Sequence, residues 1–341
     1  MNLLFSCIGK RGYIARLFRE HLADGDRIIG TSNTPWTSGF NACDKAYLMP
    51  DLGSPEYIPA VLELCKRERI DGLLSFFDMD VHRLSAHVDE FNAIGVKCFI
   101  PSFTIADICF DKWKTFQFLR EKGFDTADTY LALADVRTAL DAGKLEFPVY
   151  VKPRSGFGSR NTFKARNWKE LEVFFGLEPN MIVQEALGGD AYDFDILNDL
   201  NGKVLSVVCW QKSLSRMGET EQATTVRDPL LTDLGVRLAT ALGHAGPLDA
   251  DLFLWNGRVY VLEINLRFGG GYPVSHLAGA GFPKAIVELV NGRQPSIAMG
   301  GYEPGVVMMK ELHIMGGPSE RFFAQQLHVD ASLRPVAERL S

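Results

Sequence analysis

The sequence predicts an α/β protein in which a unit with a parallel, doubly wound sheet precedes a region with a largely antiparallel sheet. Three observations lead to this prediction. Over residues 1–100 short apolar runs alternate with helical patterns, and after residue 148 tighter apolar runs are separated by Gly-rich and polar turns. In addition, Asn256-Gly257 separates two apolar runs. Alternating strands and helices are typical of parallel sheets, whereas short strands joined by tight turns pair antiparallel.

The elements of the first unit follow from its apolar periodicity. Short apolar runs indicate buried strands at residues 3–8, 27–31, 72–77 and 97–100. Between them, helical spacing indicates helices at residues 13–22, 57–67 and 81–94. Pro101-Ser102 closes this unit, and residues 103–123 are predicted to form one further helix.

The second region is predicted to contain strands at residues 149–152, 181–184, 194–198 and 204–210, with helices at 168–175 and 233–242. The runs at 251–254 and 259–264 flank the Asn-Gly turn and indicate a β-hairpin that begins with Asp251. The polar stretch at 212–227 lies between a strand and a helix, and is interpreted as a covering loop. Arg216 in this loop is a candidate for binding a substrate carboxylate; the alternative is a mobile surface loop.

Composition favours small-molecule partners. The 341 residues carry a formal charge of -6 with mixed signs, and no run of Lys or Arg indicates nucleic-acid binding. No apolar run approaches membrane-spanning length, so no membrane partner is expected. The six cysteines form no CxxC pair, which indicates reduced thiols, and the start of the chain lacks a leader pattern. We expect a cytoplasmic protein, and the amphipathic helices of the first unit are compatible with a homodimer.

Oxygen ligands converge in the predicted hairpin. Asp251 begins its first strand, while Glu263 and Asn265 lie two residues apart at the end of the second and so point to one face. Two carboxylates and an amide oxygen suit Mg²⁺ bound to nucleotide phosphates. The same residues could also form a polar strand end that faces water. Arg267 continues the alternation and could clamp a phosphoryl group, or could be an ordinary surface arginine.

Basic groups that could meet phosphates lie earlier in the chain. Lys152 ends a predicted strand, and the glycine-containing loop at 154–160 follows it. Backbone N–H groups of such a loop can bind phosphate oxygens, although it lacks the GxxxxGK[ST] pattern and could equally be a basic β-turn. Lys112 lies in a helical stretch and by itself indicates a solvated lysine. Gln184 and Glu185 end an apolar strand, either as a capped strand end or as a segment that meets a purine edge.

Two acidic residues follow the predicted strand at residues 72–77. Asp78 and Asp80 would lie at the carboxyl end of a parallel sheet, where ligands commonly bind. Either one could receive a substrate ammonium group. The alternative is that one of them caps the following helix.

The order of these groups resembles that of the ATP-grasp superfamily. A helix lysine, a strand lysine with a Gly/Ser loop, a Gln-Glu pair, an aspartate and finally Glu263-Ile264-Asn265-Leu266-Arg267 follow one another. The likeness spans residues 2–295 and is greatest to the ATP-grasp domains of carbamoyl phosphate synthase large subunits and to single-domain amino-acid ligases. It implies an ATP-grasp fold with an N-terminal Rossmann-like pre-ATP-grasp domain.

The resemblance also implies domain boundaries. We expect the pre-ATP-grasp domain at residues 1–102, the ATP-grasp domain at 103–300 and a C-terminal extension at 301–341. Within the ATP-grasp domain, a small lobe at about 125–187 would precede a large lobe at about 188–300.

The resemblance further implies roles for single residues. Lys112 and Lys152 would contact the nucleotide phosphates, and Arg267 would steady an acyl phosphate together with Lys152. Residues of the loop and of the Gln-Glu segment would fold over the triphosphate and hold adenine: Ser155, Gly156, Gly158, Ser159, Gln184, Glu185, Ala186 and Leu187.

Metal and ribose contacts are implied in the same way. Asp251, Glu263 and Asn265 would bind two Mg²⁺ ions, for which Mn²⁺ could substitute. The family's ribose-binding glutamate corresponds to Ala191 here, so Asp190 or Asp193 would take its place.

The implied reaction is ATP-dependent ligation of a small-molecule carboxylate to an amine through an acyl phosphate. One alternative is phosphorylation of carbamate, as in carbamoyl phosphate synthases. Another is a nucleotide-binding module without catalysis. A nicotinamide oxidoreductase is disfavoured because the turn at residues 8–12 lacks the glycines that a dinucleotide requires.

Overall fold

The computed structural model describes residues 1–156, 158, 160–216 and 218–318. Within these residues, strands form sheets of five, four and six members. None of the helices in the described ranges is long and apolar enough to cross a membrane.

The N-terminal sheet has the strand order β3-β2-β1-β4-β5, and all its pairs are parallel. Its strands are β1 (Asn2–Ser6), β2 (Arg27–Ser32), β3 (Lys45–Leu48), β4 (Gly72–Ser75) and β5 (Lys97–Cys98). The helices of this unit are α1 (Gly12–Arg19), α2 (Tyr57–Glu68), α3 (Asp78–Ser85) and α4 (Val88–Ala93), with a 3₁₀ helix at Ser38–Ala42. The doubly wound parallel sheet expected from the sequence is therefore confirmed.

Alternate residues of this sheet pack against opposite layers. Leu4 belongs to a core cluster that contains Val61 of α2, whereas Leu3 and Phe5 belong to a cluster that contains Phe18 of α1. Because both faces are covered, the strands are nearly continuous in apolar residues.

Two helices that the sequence predicts as single are each broken in the structure. The predicted helix at 81–94 is divided into α3 and α4. The one at 103–123 forms α5 (Phe103–Phe110) and α6 (Lys112–Glu121), because Asp111 adopts extended angles and its carboxylate accepts hydrogen bonds from Trp113 N and Lys114 N. The capping role considered for Asp78 or Asp80 is wrong: Phe77 is the N-cap of α3, and both aspartates lie in its first turn.

A four-stranded antiparallel sheet with its own apolar cluster follows. The order is β6-β9-β7-β8, and the elements are β6 (Thr129–Tyr130), α7 (Leu133–Asp141), β7 (Val149–Pro153), β8 (Phe163–Ala165), α8 (Trp168–Phe175) and β9 (Met181–Glu185). We refer to it as the small sheet.

The six-stranded sheet is antiparallel, with the order β14-β13-β10-β11-β12-β15. Its elements are β10 (Asp190–Asn198), β11 (Val204–Arg216), β12 (Glu219–Val226), α9 (Pro229–Leu242), β13 (Gly246–Trp255), β14 (Arg258–Asn265), α10 (Pro273–Leu277), α11 (Phe282–Val290) and β15 (Val307–Met309). We refer to it as the large sheet. Two core clusters each contain residues of both the N-terminal sheet and the large sheet.

Two sequence interpretations are wrong in this region. Most of the stretch interpreted as a loop at 212–227 is paired: residues 212–216 end β11 and residues 219–226 form β12, in which Ala223 and Thr225 are buried. Asp251 does not begin its strand, because β13 starts at Gly246.

Candidate functional site

A polar cavity of about 280 Å³ lies between the small sheet, the start of α6 and the large sheet. We call it the first cavity. Ten of the residues singled out in the sequence line it: Asp78, Lys112, Lys152, Gly156, Gly158, Asp193, Asp251, Glu263, Asn265 and Arg267.

The acidic groups of the first cavity are placed by the β13–β14 pairing. Asp251 lies opposite Glu263, and Asp249 lies opposite Asn265. Asn265 Nδ2 donates to Asp249 Oδ2 at 3.0 Å, which fixes the orientation of the amide. These are hard oxygen donors, although no group of three or more His, Cys, Asp or Glu within the described ranges forms a metal cluster.

Asp249 is a site residue that the sequence reasoning missed. The signal was available, because Asp249 lies two residues before Asp251 and so on the same face of a strand. It was overlooked because the strand was predicted to start at Asp251.

Two lysines approach the carboxylates from the small-sheet side. Lys112 Nζ lies 3.3 Å from Glu263 Oε1 and donates to the carbonyl of Gly156 at 3.1 Å. Lys152 Nζ has no hydrogen bond or ion pair with any described residue in the structure, and burial lowers its pKa, opposed by Glu263 and assisted by Lys112. A buried ammonium group without a close partner suits an anionic ligand.

Lys212 is a second residue that the sequence reasoning did not select. Its Nζ lies 3.0 Å from Asp193 Oδ2 and also contacts Asp251 Oδ1. Burial opposes the charge, but Asp193 and Asp251 outweigh it and hold the pKa of Lys212 above its ordinary value. Asp193, which the resemblance offers for ribose, is therefore engaged by a lysine.

Arg267 connects the two domains. Its Nε donates to Asp78 Oδ2 at 3.1 Å, and its Nη2 lies 3.0 Å from the same oxygen. Its Nη1 lies 3.7 Å from Asp249 Oδ2. Asp80 reaches neither this cavity nor the one described below. It is buried and accepts hydrogen bonds from Tyr57 Oη at 2.6 Å and Ser75 Oγ at 2.7 Å.

Several candidates are not brought to the first cavity. Gln184 is buried and donates to Thr129 Oγ1 at 3.0 Å, while Glu185 Oε2 accepts from Asp128 N at 3.2 Å, and burial raises the pKa of Glu185. The remaining candidates that do not line it are Ser155, Ala186, Leu187, Asp190 and Arg216, and Arg216 is exposed at the end of β11. Ser159 lies outside the described residues.

A second cavity of about 470 Å³ adjoins the first at the carboxyl ends of the N-terminal strands. Arg11, Asp78, Glu219 and Arg267 line both cavities, together with Gly158 and Gly218. Other residues of the second cavity include Cys7, Thr31, Met49, Leu52, Tyr57, Phe76 and Phe77.

Glu219 lies at the junction of the two cavities and forms ion pairs with basic residues from distant segments of the chain. Its carboxylate lies 3.7 Å from Lys10 Nζ, 3.7 Å from Arg11 Nη2 and 3.3 Å from Lys310 Nζ. Arg11 is itself held by a hydrogen bond of 2.9 Å to the carbonyl of Phe268.

Comparisons with known proteins agree with the fold described above. Residues 3–99 match the PylC-like N-terminal domain, and residues 109–271 match the ATP-grasp domain. The chain is 23% identical over 301 residues to the carbamoyl phosphate synthase large chain of Pseudothermotoga lettingae, a match that covers 82% of this chain and 26% of the relative. This chain spans about a quarter of the length of the curated relatives that it matches.

Solved structures show the same fold. The biotin carboxylase domain of the Hydrogenobacter thermophilus 2-oxoglutarate carboxylase, crystallised with MgADP and bicarbonate, is 15% identical with a TM-score of 0.71, covering 89% of this chain and 73% of that one. The L-amino acid ligase of Bacillus licheniformis is 21% identical with a TM-score of 0.66, covering 89% and 77%. The chain therefore has an ATP-grasp fold, in which residues 3–99 are similar to PylC-like N-terminal domains and residues 109–271 to ATP-grasp domains.

Proposed function

We propose that the protein is an ATP-dependent carboxylate–amine ligase that forms an amide bond through an acyl phosphate. One observation carries this proposal. Two lysines, the oxygen donors and Arg267 line a single polar cavity that opens onto a second cavity suited to another substrate. An enzyme that joins a nucleotide reaction to a separate acceptor requires two adjoining sites of this kind.

The first cavity fits a nucleotide triphosphate with its metal ions. Lys152 offers a buried ammonium group without a close partner among the described residues, and Lys112 lies beside it. Asp251, Glu263 and Asn265 offer oxygen donors that would hold two Mg²⁺ ions, or Mn²⁺ in their place, and such ions neutralise phosphate charge.

The reaction would proceed in two balanced steps. A carboxylate oxygen of the first substrate attacks the γ-phosphorus of ATP, and ADP leaves. The amine nitrogen of the second substrate then attacks the carbonyl carbon, and phosphate leaves as the nitrogen loses a proton. Arg267 lines both cavities and would stabilise negative charge on the phosphoryl group during both steps.

Protection from water is required, because acyl phosphates hydrolyse. Gly158 of the small-sheet loop and Gly218 of the β11–β12 turn line both cavities and support a role for these segments as covers.

The six cysteines are free thiols, which supports the expected cytoplasmic location.

Phosphorylation of carbamate is the second candidate, because the curated relatives include carbamoyl phosphate synthase large chains. The second cavity, at about 470 Å³, is much larger than carbamate requires. Amide formation therefore ranks first. Bicarbonate-dependent ADP formation without any organic acid would favour the second candidate instead.

The test is ADP and phosphate release with MgATP across a panel of small carboxylates and amines, singly and in pairs, with products identified by mass spectrometry. We expect a condensed product from at least one pair. Lys152→Ala and Glu263→Gln should each reduce the rate by about 100-fold or more. Glu121→Gln is the matched control, because Glu121 is 74% exposed and lines neither cavity. Either site variant with a rate near that of the wild type would contradict the proposed site.

A further inference from the structure

We propose that the second cavity selects a monocarboxylate with an uncharged, largely apolar body, and that it holds the carboxylate at the junction with the first cavity. The inference rests on the proposed ligase function, because it names the substrate class of that enzyme. It follows from how charge is distributed around the cavity wall.

The charged groups of the second cavity are concentrated at the junction. Arg11, Asp78, Glu219 and Arg267 line both cavities, and Lys10, which lines only the second, lies 3.7 Å from Glu219. Each charged residue that lines the second cavity within the described ranges therefore lies at the junction or pairs with a residue that does.

The junction carries an excess of positive charge around one carboxylate. Lys10, Arg11 and Lys310 all lie within 4 Å of Glu219. Burial alone would raise the pKa of Glu219, but Arg11, Lys310 and Lys10 outweigh burial and hold this pKa below its ordinary value. Three cations share one anion, so a second anion placed here gains charge-assisted hydrogen bonds without displacing Glu219.

Among the described residues, the rest of the wall carries no charged side chain. Away from the junction it is formed largely by apolar side chains such as Met49, Leu52, Phe76 and Phe77. Leu52 is only partly buried and packs against the edge of a core cluster, so it can meet a ligand without being essential to the core.

The polar side chains Asn33, Tyr57, Ser32 and Thr31 of this wall already have partners within the protein, and Asn33 Nδ2 donates to Asp51 Oδ1 at 2.9 Å. Tyr57 Oη donates to Asp80, which lies behind the wall, and Ser32 Oγ accepts from Thr37 Oγ1 at 2.7 Å. Thr31 Oγ1 accepts from Cys7 N at 3.3 Å. A charged end group on the ligand body would lose water here and find few free partners.

The experiment compares ligands of matched length by calorimetry and by ADP release. Heptanoate is paired with 6-aminohexanoate, in which an ammonium group replaces the terminal methyl group, and hexanoate with adipate, in which a carboxylate replaces it. We expect the uncharged member of each pair to bind at least about tenfold more tightly, because a buried charge without a partner is costly. ADP release should follow the same order.

Two variants of Leu52 separate charge from shape. Leu52→Asp and Leu52→Asn introduce side chains of nearly equal size, but only the first carries a charge. We expect Leu52→Asp to shift the heptanoate-to-6-aminohexanoate affinity ratio toward 6-aminohexanoate by about tenfold relative to Leu52→Asn. Thermal melting of both variants confirms that each is folded.

Each outcome supports or contradicts either the inferred substrate class or the proposed ligase function. Equal or tighter binding of 6-aminohexanoate or adipate, no measurable binding of heptanoate, or equal ratios in the two Leu52 variants would overturn the inference. ADP release with another substrate class would still leave the proposed ligase function intact. Conversely, a preference for heptanoate without ADP release under any condition would support the ligand class and contradict the proposed ligase function.

Discussion

Asp249→Ala is expected to weaken the use of Mg²⁺ although Asp249 is not among the three residues proposed to bind it. Asp249 Oδ2 accepts the hydrogen bond from Asn265 Nδ2 at 3.0 Å, so the amide oxygen of Asn265 is left for the cavity. A hydrogen bond to an ionised group contributes about 1.5–3 kcal/mol, which corresponds to about 10–150-fold in an equilibrium constant. The Mg²⁺ concentration for half-maximal ADP release should rise by this factor.

Asp249→Asn is the matched control, because its amide oxygen can still accept from Asn265. Only the charge assistance is lost, which is worth about 1 kcal/mol or about fivefold. The assay is a Mg²⁺ titration of ADP release at saturating ATP, with thermal melting to establish folding. Two results would refute the reasoning: half-saturation within twofold of the wild type for Asp249→Ala, or a larger effect for Asp249→Asn than for Asp249→Ala.

Three further predictions concern a cation, a glycine and a buried histidine. Burial lowers the pKa of Lys152, so ATP affinity should fall as pH rises through this pKa, which lies below that of an ordinary lysine. Lys152→Arg should remove this fall, because arginine stays charged. A pH-independent affinity of the wild type, measured by calorimetry, would contradict the assignment. Gly271→Ala should lower the free energy of unfolding by about 1–3 kcal/mol in denaturant titrations, because the Cβ of the alanine would overlap the buried Trp210 ring. An unchanged denaturation midpoint would show that the ring can move. Burial lowers the pKa of His244 to about 3, so the folded protein keeps this group neutral and loses stability as pH falls below about 6.5, where the unfolded chain takes up the proton. His244→Gln should flatten this acid-side loss in chemical denaturation, and an identical slope in both proteins would exclude His244 as its source.

Much of the fold could be predicted because its elements have strong local signals. The parallel sheet is buried on both faces, so its longer strands stand out as apolar runs. The pair Asn256-Gly257 marks the β13–β14 turn, where Asn256 has a φ of 50° and Gly257 a φ of 73°.

The errors have tertiary causes. Asp111 ends α5 and is held by Arg154, whose Nε lies 2.8 Å from both carboxylate oxygens, so a contact with a distant strand divides a stretch that looks continuously helical. The stretch at 212–227 is predicted to be a loop because it contains many polar side chains. In the structure, pairing within the sheet buries two of them, Thr220 and Thr225, despite their hydroxyl groups.

Some residues of the candidate site can be identified from the sequence, and others only from the structure. Glu263, Asn265 and Arg267 could be selected because their spacing of two is visible in the sequence. Lys212 and Glu219 could not, because their importance arises from partners on other strands and segments.

The ion pairs of Lys212 bear on the order in which ligands arrive. Its ammonium group already compensates Asp251 and Asp193, so a divalent ion from bulk solvent meets carboxylates that are partly neutralised. An ion that arrives attached to a triphosphate brings further oxygen ligands with it, and Lys112 and Lys152 attract those phosphates. We expect the protein to bind uncomplexed Mg²⁺ weakly and to take up the metal as part of the nucleotide complex. Free cellular Mg²⁺ would then leave Asp251 and Asp193 unoccupied between turnovers.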